Sequence, residues 1–184
     1  MEKYTDLKNS EHLKLLFKIT AKINKEEIKT ILDAGSGKTS LSILLRLFPE
    51  SKIDAITYYN DLRKINSIKE NIFSSRYNLE EKNLCKDKIK KQYDLVLAHL
   101  LLGEAEKWNH SFKELLLKLT QIKTTYLIIF DIKEDPVINY QYLEKIVSEK
   151  FILVKKEEMI KNKQEQYPDF LAKTYVAYLF KRKL

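Results

Sequence analysis

The sequence predicts an α/β fold: a mostly parallel β-sheet with helices on both faces, completed by a C-terminal antiparallel hairpin. Short β-rich runs alternate with amphipathic helical stretches, a pattern typical of parallel sheets. Two of the three glycines, Gly35 and Gly37, fall in one turn directly after the first such run. The last two β-rich runs have no clear helix between them, and strands joined by a loop pair antiparallel.

Size and composition indicate one soluble domain. The 184 residues, 44% hydrophobic and 33% charged, suit a single domain over 1–184, with an N-terminal helical segment at 1–29 and an α/β core at 30–184. A single cysteine, Cys85, excludes an internal disulfide, which suits the reducing cytoplasm. No run approaches the roughly 20 apolar residues of a membrane span. We therefore expect a cytoplasmic protein without a membrane partner, and the sequence leaves its oligomeric state open.

The positive charge has two interpretations. A net charge of +8 is typical of proteins that bind nucleic acid. Most of the basic residues are lysines interspersed with glutamates, however, a pattern more typical of a solvated helix surface. Only four are arginines, the better phosphate ligands: Arg46, Arg63, Arg76 and Arg182. Solvated surface is the favoured interpretation, and RNA binding stays open.

Each element follows from its local pattern. Apolar residues at helical spacing predict helices within 1–29, from 38 to a stop at Pro49, and at 61–73, 112–119 and 139–150. β-rich runs predict strands at 30–34, 52–57, 93–99, 126–131, 151–155 and 174–180, with a weak strand at 81–84. The long connection from 157 to 173 is a candidate substrate-side lid.

The turn that contains Gly35 and Gly37 is the strongest candidate ligand site. Glycine adopts positive φ without strain and lets the backbone approach a ligand closely. The helix that follows offers unpaired N–H groups and a partial positive charge. Open α/β sheets bind ligands at this edge, outside the carboxyl ends of their strands. We interpret the two glycines as a ligand cradle rather than a purely structural turn.

Two nucleotide motifs compete for this turn. Gly37-Lys38-Thr39 resembles the end of a P-loop, and the run ending at Asp131 resembles a Walker B strand, but Leu32 stands where the first glycine belongs. A dinucleotide fingerprint fails because Ser40 replaces its third glycine. A P-loop-like nucleotide phosphohydrolase or kinase therefore stays as a secondary alternative.

Ile31-Leu32-Asp33-Ala34-Gly35-Ser36-Gly37 resembles motif I of the class I S-adenosylmethionine-dependent methyltransferases, in which an acid closes the strand two places before the first glycine. Tyr93-Asp94-Leu95-Val96-Leu97-Ala98-His99 resembles the family's fourth strand, and the closing hairpin matches its topology. The resemblance covers about residues 30 to 181. It implies a Rossmann-like seven-stranded sheet of order 3-2-1-4-5-7-6 and an S-adenosylmethionine-dependent methyltransferase.

The resemblance also implies where the cofactor lies. Its methionine part would contact Asp33, Ala34, Gly35, Ser36 and Gly37, and Asp33 would help to hold its ammonium group, directly or through water. Thr57 and Tyr58 would lie by the ribose, Asn83 and Leu84 by the adenine, and His99 and Leu100 where the cofactor meets the substrate. His99 is the candidate catalytic base, because histidine titrates near neutral pH; a packed strand-end histidine is the alternative.

The chain departs from the family pattern in four places. Thr39 replaces a frequent third glycine, and Asn83 replaces an acid near the adenine, where its amide can still hydrogen-bond. The second strand lacks the acid that grips the ribose, for which Asp61 substitutes only if its loop folds back. Ala98-His99-Leu100-Leu101 lacks the signature of enzymes that methylate base amino groups, which favours another nucleophile. The acceptor is RNA or a small molecule, and a non-catalytic binding or regulatory module on the same fold is the alternative.

The other histidines and the cysteine have structural interpretations. His110 is expected on the surface at a helix start, and His12 is expected to pack on a partly apolar helix face. The three histidines lie far apart in the sequence and Cys85 is alone, so the spacing predicts no metal site.

Overall fold

The computed structural model describes residues 10–58, 62–160 and 174–184, without the side chains of residues 62 and 108. Its strands are β1 (Thr30–Ala34), β2 (Lys52–Thr57), β3 (Tyr77–Glu81), β4 (Tyr93–His99), β5 (Thr124–Ile132), β6 (Phe151–Ile160) and β7 (Thr174–Arg182). Its helices are α1 (Glu11–Thr20), α2 (Lys38–Leu47), α3 (Leu62–Asn71), α4 (Phe112–Gln121) and α5 (Tyr140–Ser148). Two 3₁₀ segments cover Lys25–Glu27 and Leu102–Trp108.

The seven strands form one sheet in the order β3-β2-β1-β4-β5-β7-β6. The first five strands are parallel, and β7 is antiparallel to both β5 and β6. This confirms the predicted fold class, strand order and closing hairpin. None of the helices within the described ranges is long and apolar enough to cross a lipid bilayer.

Strand side chains alternate between two hydrophobic cores, one on each face of the sheet. Ile31 and Leu95 point into the core beneath α1, α2 and α3, whereas Leu32 and Val96 point into the core beneath α4 and α5. All four side chains are fully buried. Burial of each of these side chains stabilises the folded state by about 1.5–3 kcal/mol. The double burial explains why these strands read as continuous apolar runs rather than as alternating ones.

The aromatic-Asp pair at the start of β4 acts at the edge of the sheet opposite the glycine turn. Asp94 Oδ2 accepts hydrogen bonds from the backbone N–H groups of Lys29 and Thr30 and from the Thr30 hydroxyl, at 2.8–2.9 Å. The Tyr93 hydroxyl donates to Asp54 Oδ2 at 2.8 Å. The pair therefore fastens β4 to β1 and β2 and fixes the register that brings the strand ends together.

The structure corrects three predicted boundaries. The third strand lies at Tyr77–Glu81 rather than 81–84; it is an edge strand with few buried side chains, so its hydrophobic signal is weak. β6 runs to Ile160, so residues 157–160 pair with β7 instead of forming a loop. Within the predicted helical segment at 1–29, the described helical residues are limited to α1 and the 3₁₀ turn at Lys25–Glu27. The rest of the predicted lid, 161–173, lies outside the described residues.

Candidate functional site

Gly35 and Gly37, the two glycines after β1, differ in what a side chain at each position would meet. Gly35 has φ +76°, and a Cβ on it would collide with the side chain of Leu101. Gly37, the N-cap of α2, has φ −137°, which any residue adopts, and a Cβ there would lie 3.5 Å from Lys64 Cε. The positive φ and the packing of Leu101 therefore require a glycine at position 35, and its role in a ligand cradle stays a prediction. Gly37 is the glycine that keeps the adjoining groove open.

Asp33 stabilises the turn through hydrogen bonds from two serine side chains. Its carboxylate is fully buried, and Oδ2 accepts hydrogen bonds from Ser36 Oγ at 2.6 Å and Ser40 Oγ at 2.8 Å. Burial raises the pKa of Asp33 to about 6, although the two serine hydrogen bonds and the charge of Lys64 act to lower it. The second oxygen, Oδ1, has no hydrogen-bond partner among the described residues.

Two cavities meet at Gly35. A groove of about 490 Å³ is lined by Gly35, Gly37, Lys38, Thr39, Ser40, Arg63, Lys64, Ser67, His99, Leu100 and Glu104. An inner pocket on the other side is lined by residues that include Tyr58, Asn83, Leu84, Leu101 and His110, and it has only about 10 Å³ of free space. The groove is therefore open, whereas side chains nearly fill the inner pocket.

The carboxyl end of β2 lies beside the glycine turn, where the backbone N–H of Ser36 donates to the carbonyl oxygen of Ile56 at 2.6 Å. Thr57 is fully buried, and its hydroxyl oxygen has no hydrogen-bond partner among the described residues. Tyr58 follows it into the inner pocket, where its ring lies edge-on to His110 at 6.3 Å between centroids. Asp61, the alternative ribose acid, lies outside the described residues.

Asn83 belongs to a hydrogen-bonded relay with His110 and Glu114. Asn83 Oδ1 accepts from the backbone N–H of Cys85 at 2.9 Å, so its amide nitrogen faces His110 Nε2 at 3.0 Å. His110 Nε2 must then carry a lone pair, and its Nδ1–H donates to Glu114 Oε2 at 3.2 Å. The surface placement expected for His110 is wrong, because this side chain is only 10% exposed and lines the inner pocket.

The fold also brings possible metal ligands together that the sequence separates. Ligand atoms of Cys85, His110 and Glu114 lie within 4.8 Å of one another. The spacing in the sequence did not indicate this cluster, and the expectation of no metal site stays a prediction. In this arrangement both ring nitrogens of His110 already form hydrogen bonds within the protein, and burial raises the pKa of the Cys85 thiol to about 11.

His99 ends β4 beside the groove and is 8% exposed. Its Nε2 lies 3.0 Å from Nδ1 of His12 on α1, and its ring stacks on Phe130 at 4.6 Å. Burial first, then the positive charge of His12 and Lys64, lowers the pKa of His99 to about 3. The next residue, Leu100, has φ +52°, an uncommon conformation for a residue with a side chain.

Asp131, the candidate Walker B acid of the P-loop alternative, binds backbone N–H groups. Asp131 Oδ2 accepts hydrogen bonds from the backbone N–H groups of Leu102 and Gly103, at 3.1 and 3.4 Å. Asp131 therefore anchors the segment after β4, and its carboxylate makes no hydrogen bond or ion pair with Lys38 or Thr39 among the described residues. Burial raises its pKa to about 7.

Sequence reasoning missed two contacts, that of His12 with His99 and that of His110 with Asn83. The expected packing of His12 is confirmed by its ring contacts with Phe130 and Tyr175. Each histidine lies beside a helix N-cap, where histidine carries no strong periodic or motif signal. Their partners, His99 and Asn83, are 87 and 27 residues away in the chain. The one signal in the sequence that could have indicated these contacts is that both partners, His99 and Asn83, are themselves predicted site residues.

Comparisons with known proteins agree with this architecture. No protein-family model and no curated protein sequence matches the chain. Among solved structures, it is similar to N-methyltransferase NodS from Bradyrhizobium japonicum WM9 in complex with S-adenosyl-L-homocysteine, with a TM-score of 0.70 and 12% identity over 97% of this chain and 91% of that one.

Two further structures show the same likeness. One is an rRNA methylase from Escherichia coli, with a TM-score of 0.62 and 15% identity over 94% of this chain and 64% of that one. The other is a TehB-like SAM-dependent methyltransferase from Corynebacterium glutamicum ATCC 13032 Kitasato, with a TM-score of 0.58 and 14% identity over 84% of this chain and 80% of that one. The chain therefore has the Rossmann-like fold of the class I S-adenosylmethionine-dependent methyltransferases.

Proposed function

We propose that this protein binds S-adenosylmethionine at the carboxyl edge of its sheet and transfers the methyl group to an acceptor, RNA or a small molecule. The shared fold supports the proposal, and the observation that carries it is a pair of buried, unpartnered oxygen atoms at the predicted site. The alternative on the same fold is a binding or regulatory module that keeps the cofactor without catalysis.

Among the described residues, three buried side-chain polar atoms lack a hydrogen-bond partner: Asp33 Oδ1, Ser42 Oγ and Thr57 Oγ1. Buried polar atoms are nearly always paired, and an unpaired one costs about 1–3 kcal/mol. Asp33 and Thr57 lie at the carboxyl ends of the neighbouring strands β1 and β2. A ligand with an ammonium group and hydroxyl groups would supply both missing partners, and S-adenosylmethionine carries both.

The residues around the turn fit the parts of this cofactor. Asp33 would accept from its ammonium group, and the N-terminus of α2 beside Gly37 would receive its carboxylate, assisted by the charge of Lys64. Thr57 would bind the ribose, and Tyr58 and Leu84 would cover the adenine. When bound, the cofactor supplies a methyl group activated by a sulfonium. The protein's own contribution is to orient the acceptor in line with that group and to exclude water.

Binding requires the inner pocket to open. Its free space of about 10 Å³ does not admit an adenine ring, and Leu101 packs directly against Gly35. Asp33 and Thr57 are both fully buried, so their free oxygens also become reachable only when side chains over the turn shift. We therefore expect slow association, because binding that needs a rearrangement lowers the association rate constant.

The groove indicates what kind of acceptor it admits. Lys38, Arg63 and Lys64 line it, and Glu104 is the single carboxylate among the lining side chains that the structure describes. Lys64 and Glu104 approach each other at 3.7 Å. The excess of positive charge favours an acceptor that carries phosphate, such as RNA or a phosphorylated small molecule.

Titration calorimetry of the whole protein with S-adenosylhomocysteine and with ATP–Mg²⁺ tests the cofactor. We expect the first to bind with one site per chain and the second not to bind. Thr57→Val should weaken the binding of S-adenosylhomocysteine by about fivefold, because it removes a hydrogen bond worth roughly 1 kcal/mol. Ser42→Ala is the matched control, since it removes an equally buried and unpartnered hydroxyl that lies on α2 outside both cavities.

Each outcome has a defined meaning. No binding of S-adenosylhomocysteine refutes the proposal, and ATP binding that Lys38→Ala abolishes replaces it with the P-loop alternative. Equal weakening by Thr57→Val and Ser42→Ala removes Thr57 from the site. For the acceptor, the protein is incubated with methyl-labelled cofactor and either total RNA or a metabolite extract. Cofactor binding without label in either fraction favours the non-catalytic module.

A further inference from the structure

The connection from β3 to β4 differs from the other parallel crossovers of the sheet, because its residues 82–92 contain no helix. The two crossovers before it run through α2 and α3, and the one after it runs through α4. Parallel strands are usually joined by a helix, which covers one face of the sheet. Leu84 and Cys85 of this connection pack into the same core as α4. The helical layer on that face is therefore incomplete beside α4.

A cavity of about 240 Å³ lies between this connection and the C-terminal end of α4. The apolar part of its lining is Leu84, Ile89, Leu119 and Ile122. Three of these side chains are buried, and Ile89 packs against the core while it stays partly exposed. The cavity shares Leu84 with the inner pocket and no described lining residue with the groove. It is therefore a separate site, with a preformed apolar floor.

Three lysines complete the lining of this cavity. Lys88 and Lys90 are exposed, and Lys118 is partly buried. Among the described residues, no hydrogen bond or ion pair engages any of the three. Asp87 is the single carboxylate among the lining side chains that the structure describes, and its Oδ2 accepts a hydrogen bond from the backbone N–H of Asn83 at 2.8 Å. The cavity therefore has an excess of positive charge beside its apolar floor.

This combination defines the chemistry of a ligand. An ammonium group binds phosphate as a point charge, and an apolar floor binds a ring by burying its surface. Gln121, at the end of α4, also lines the cavity, and its amide can both donate to and accept from a base. We infer that this cavity binds a nucleotide, with the base on the apolar floor and the phosphate at the lysines. The inference goes beyond the proposed methyl transfer and does not depend on it.

Amide NMR of the nitrogen-15-labelled full chain, titrated with uridine 5′-monophosphate at constant ionic strength, tests the site. We expect saturable shifts of the Ile89 and Gln121 signals, with a dissociation constant below about 1 mM. The signals of Gly37 and Thr39, which line the groove, should not shift. No saturable shift at Ile89 and Gln121, or saturable shifts confined to the groove, overturns the inference.

Inorganic phosphate tests the contribution of the apolar floor. It should bind at least about tenfold more weakly than uridine 5′-monophosphate, because it has no ring to bury. Equal affinity for the two overturns the assignment of a nucleotide, since the lysines would then bind any small anion. This comparison uses the wild-type protein and therefore does not depend on the folding of a variant.

A charge reversal tests the lysines. Lys88→Glu should weaken uridine 5′-monophosphate by at least about tenfold, because it replaces a charge-assisted hydrogen bond to the phosphate with repulsion. Lys145→Glu is the matched control: it changes the net charge equally, and Lys145 is exposed on α5 outside this cavity. It should retain the wild-type affinity within about twofold. An equal effect of the two variants, including no effect in either, overturns the inference.

Two sources supply this chemistry, a free nucleotide and a nucleotide within single-stranded RNA, and hexauridylate distinguishes them. Hexauridylate that binds at least about tenfold more tightly than the mononucleotide, with shifts at Ile89 and Gln121, supports an RNA strand, because further phosphates then contact the protein. Equal or weaker binding supports the free nucleotide. Failure of S-adenosylhomocysteine to bind refutes the proposed function and leaves this site intact, whereas unshifted Ile89 and Gln121 signals refute this site alone.

Discussion

Gly35 and Gly37 are two residues apart, yet a side chain at each would meet different surroundings. At Gly35 a methyl group would collide with Leu101 and force a positive φ on alanine. At Gly37 the backbone is extended, and the methyl group would contact only the flexible side chain of Lys64. A side chain at position 35 would therefore disturb the fold, whereas a side chain at position 37 would narrow the groove.

Gly35→Ala should therefore lower the free energy of unfolding by about 2–4 kcal/mol, from the left-handed conformation and the overpacking. Gly37→Ala should keep it within about 1 kcal/mol of wild type and weaken S-adenosylhomocysteine, because its methyl group intrudes into the groove. Urea unfolding and calorimetry measure the two effects. The reverse pattern, a stable Gly35→Ala and an unfolded Gly37→Ala, would contradict this division of roles.

Asp33 is expected to destabilise the free protein and to favour the bound one. Its pKa is about 6 in the folded chain, against an ordinary value of 3.8, so folding takes up a proton between these values. Stability is lost as the pH rises through that window, by about 3 kcal/mol in full. Asp33→Asn should thus raise the melting temperature at pH 8 and change it little at pH 4.

The same variant should weaken S-adenosylhomocysteine at pH 8 by at least about tenfold, because a neutral amide replaces the anionic partner of the ammonium group. Binding by the wild type should weaken as the pH falls below about 6, where Asp33 becomes protonated. Equal affinity of wild type and Asp33→Asn at pH 8 would remove the carboxylate from the cofactor site.

At the scale of elements, the N-terminal helix is part of the candidate site. α1 packs against β6 and β7 with Leu15, Leu16 and Ile19 fully or almost fully buried, and it carries His12 to the end of β4. Ser10 caps it by accepting a hydrogen bond from the backbone N–H of Leu13 at 3.4 Å. Its position therefore depends on tertiary packing more than on the stability of an isolated ten-residue helix.

Leu16→Ala should destabilise the protein by about 2–4 kcal/mol, the usual cost of emptying a fully packed leucine site. It should also change the imidazole NMR signals of His12 and His99, because α1 sets their distance. Lys14→Ala, on the exposed face of the same helix, is the control and should do neither. A Leu16→Ala protein as stable as wild type would show that α1 is not packed as described.

At the scale of the whole molecule, buried titratable groups give opposite pH dependences. Asp131 has its pKa raised from 3.8 to about 7, so its contribution to stability falls as the pH rises through that window. His99 has its pKa lowered from 6.5 to about 3, so its contribution falls as the pH drops below 6.5. The two effects oppose each other between about pH 4 and 6.5.

Single variants should separate these contributions in urea unfolding at several pH values. Asp131→Asn should flatten the decline of stability between pH 4 and 7, since an amide oxygen still accepts from the backbone N–H groups of Leu102 and Gly103. His99→Gln should make that decline steeper below pH 6.5, because it removes the opposing contribution. Parallel pH profiles for wild type and both variants would contradict the burial of these groups.

The sequence by itself determined the order of the elements, the closing hairpin and the positions of Asp33 and Thr57 at the strand ends. Those features depend on periodicity and turn residues, which are local, whereas the strand order followed from the resemblance to the methyltransferase family. It failed at β3 and at the far end of β6, because partly exposed edge strands bury too few side chains to leave a clear pattern.

Only the tertiary structure decided the chemistry of the candidate site. The contact of Leu101 with Gly35, the pairing of His12 with His99 and the relay through His110 join residues that are far apart in the chain. Such contacts arise from packing across the sheet edge rather than from local propensity. The same packing removes water from Asp33 and His99, and that desolvation shifts their pKa values in opposite directions.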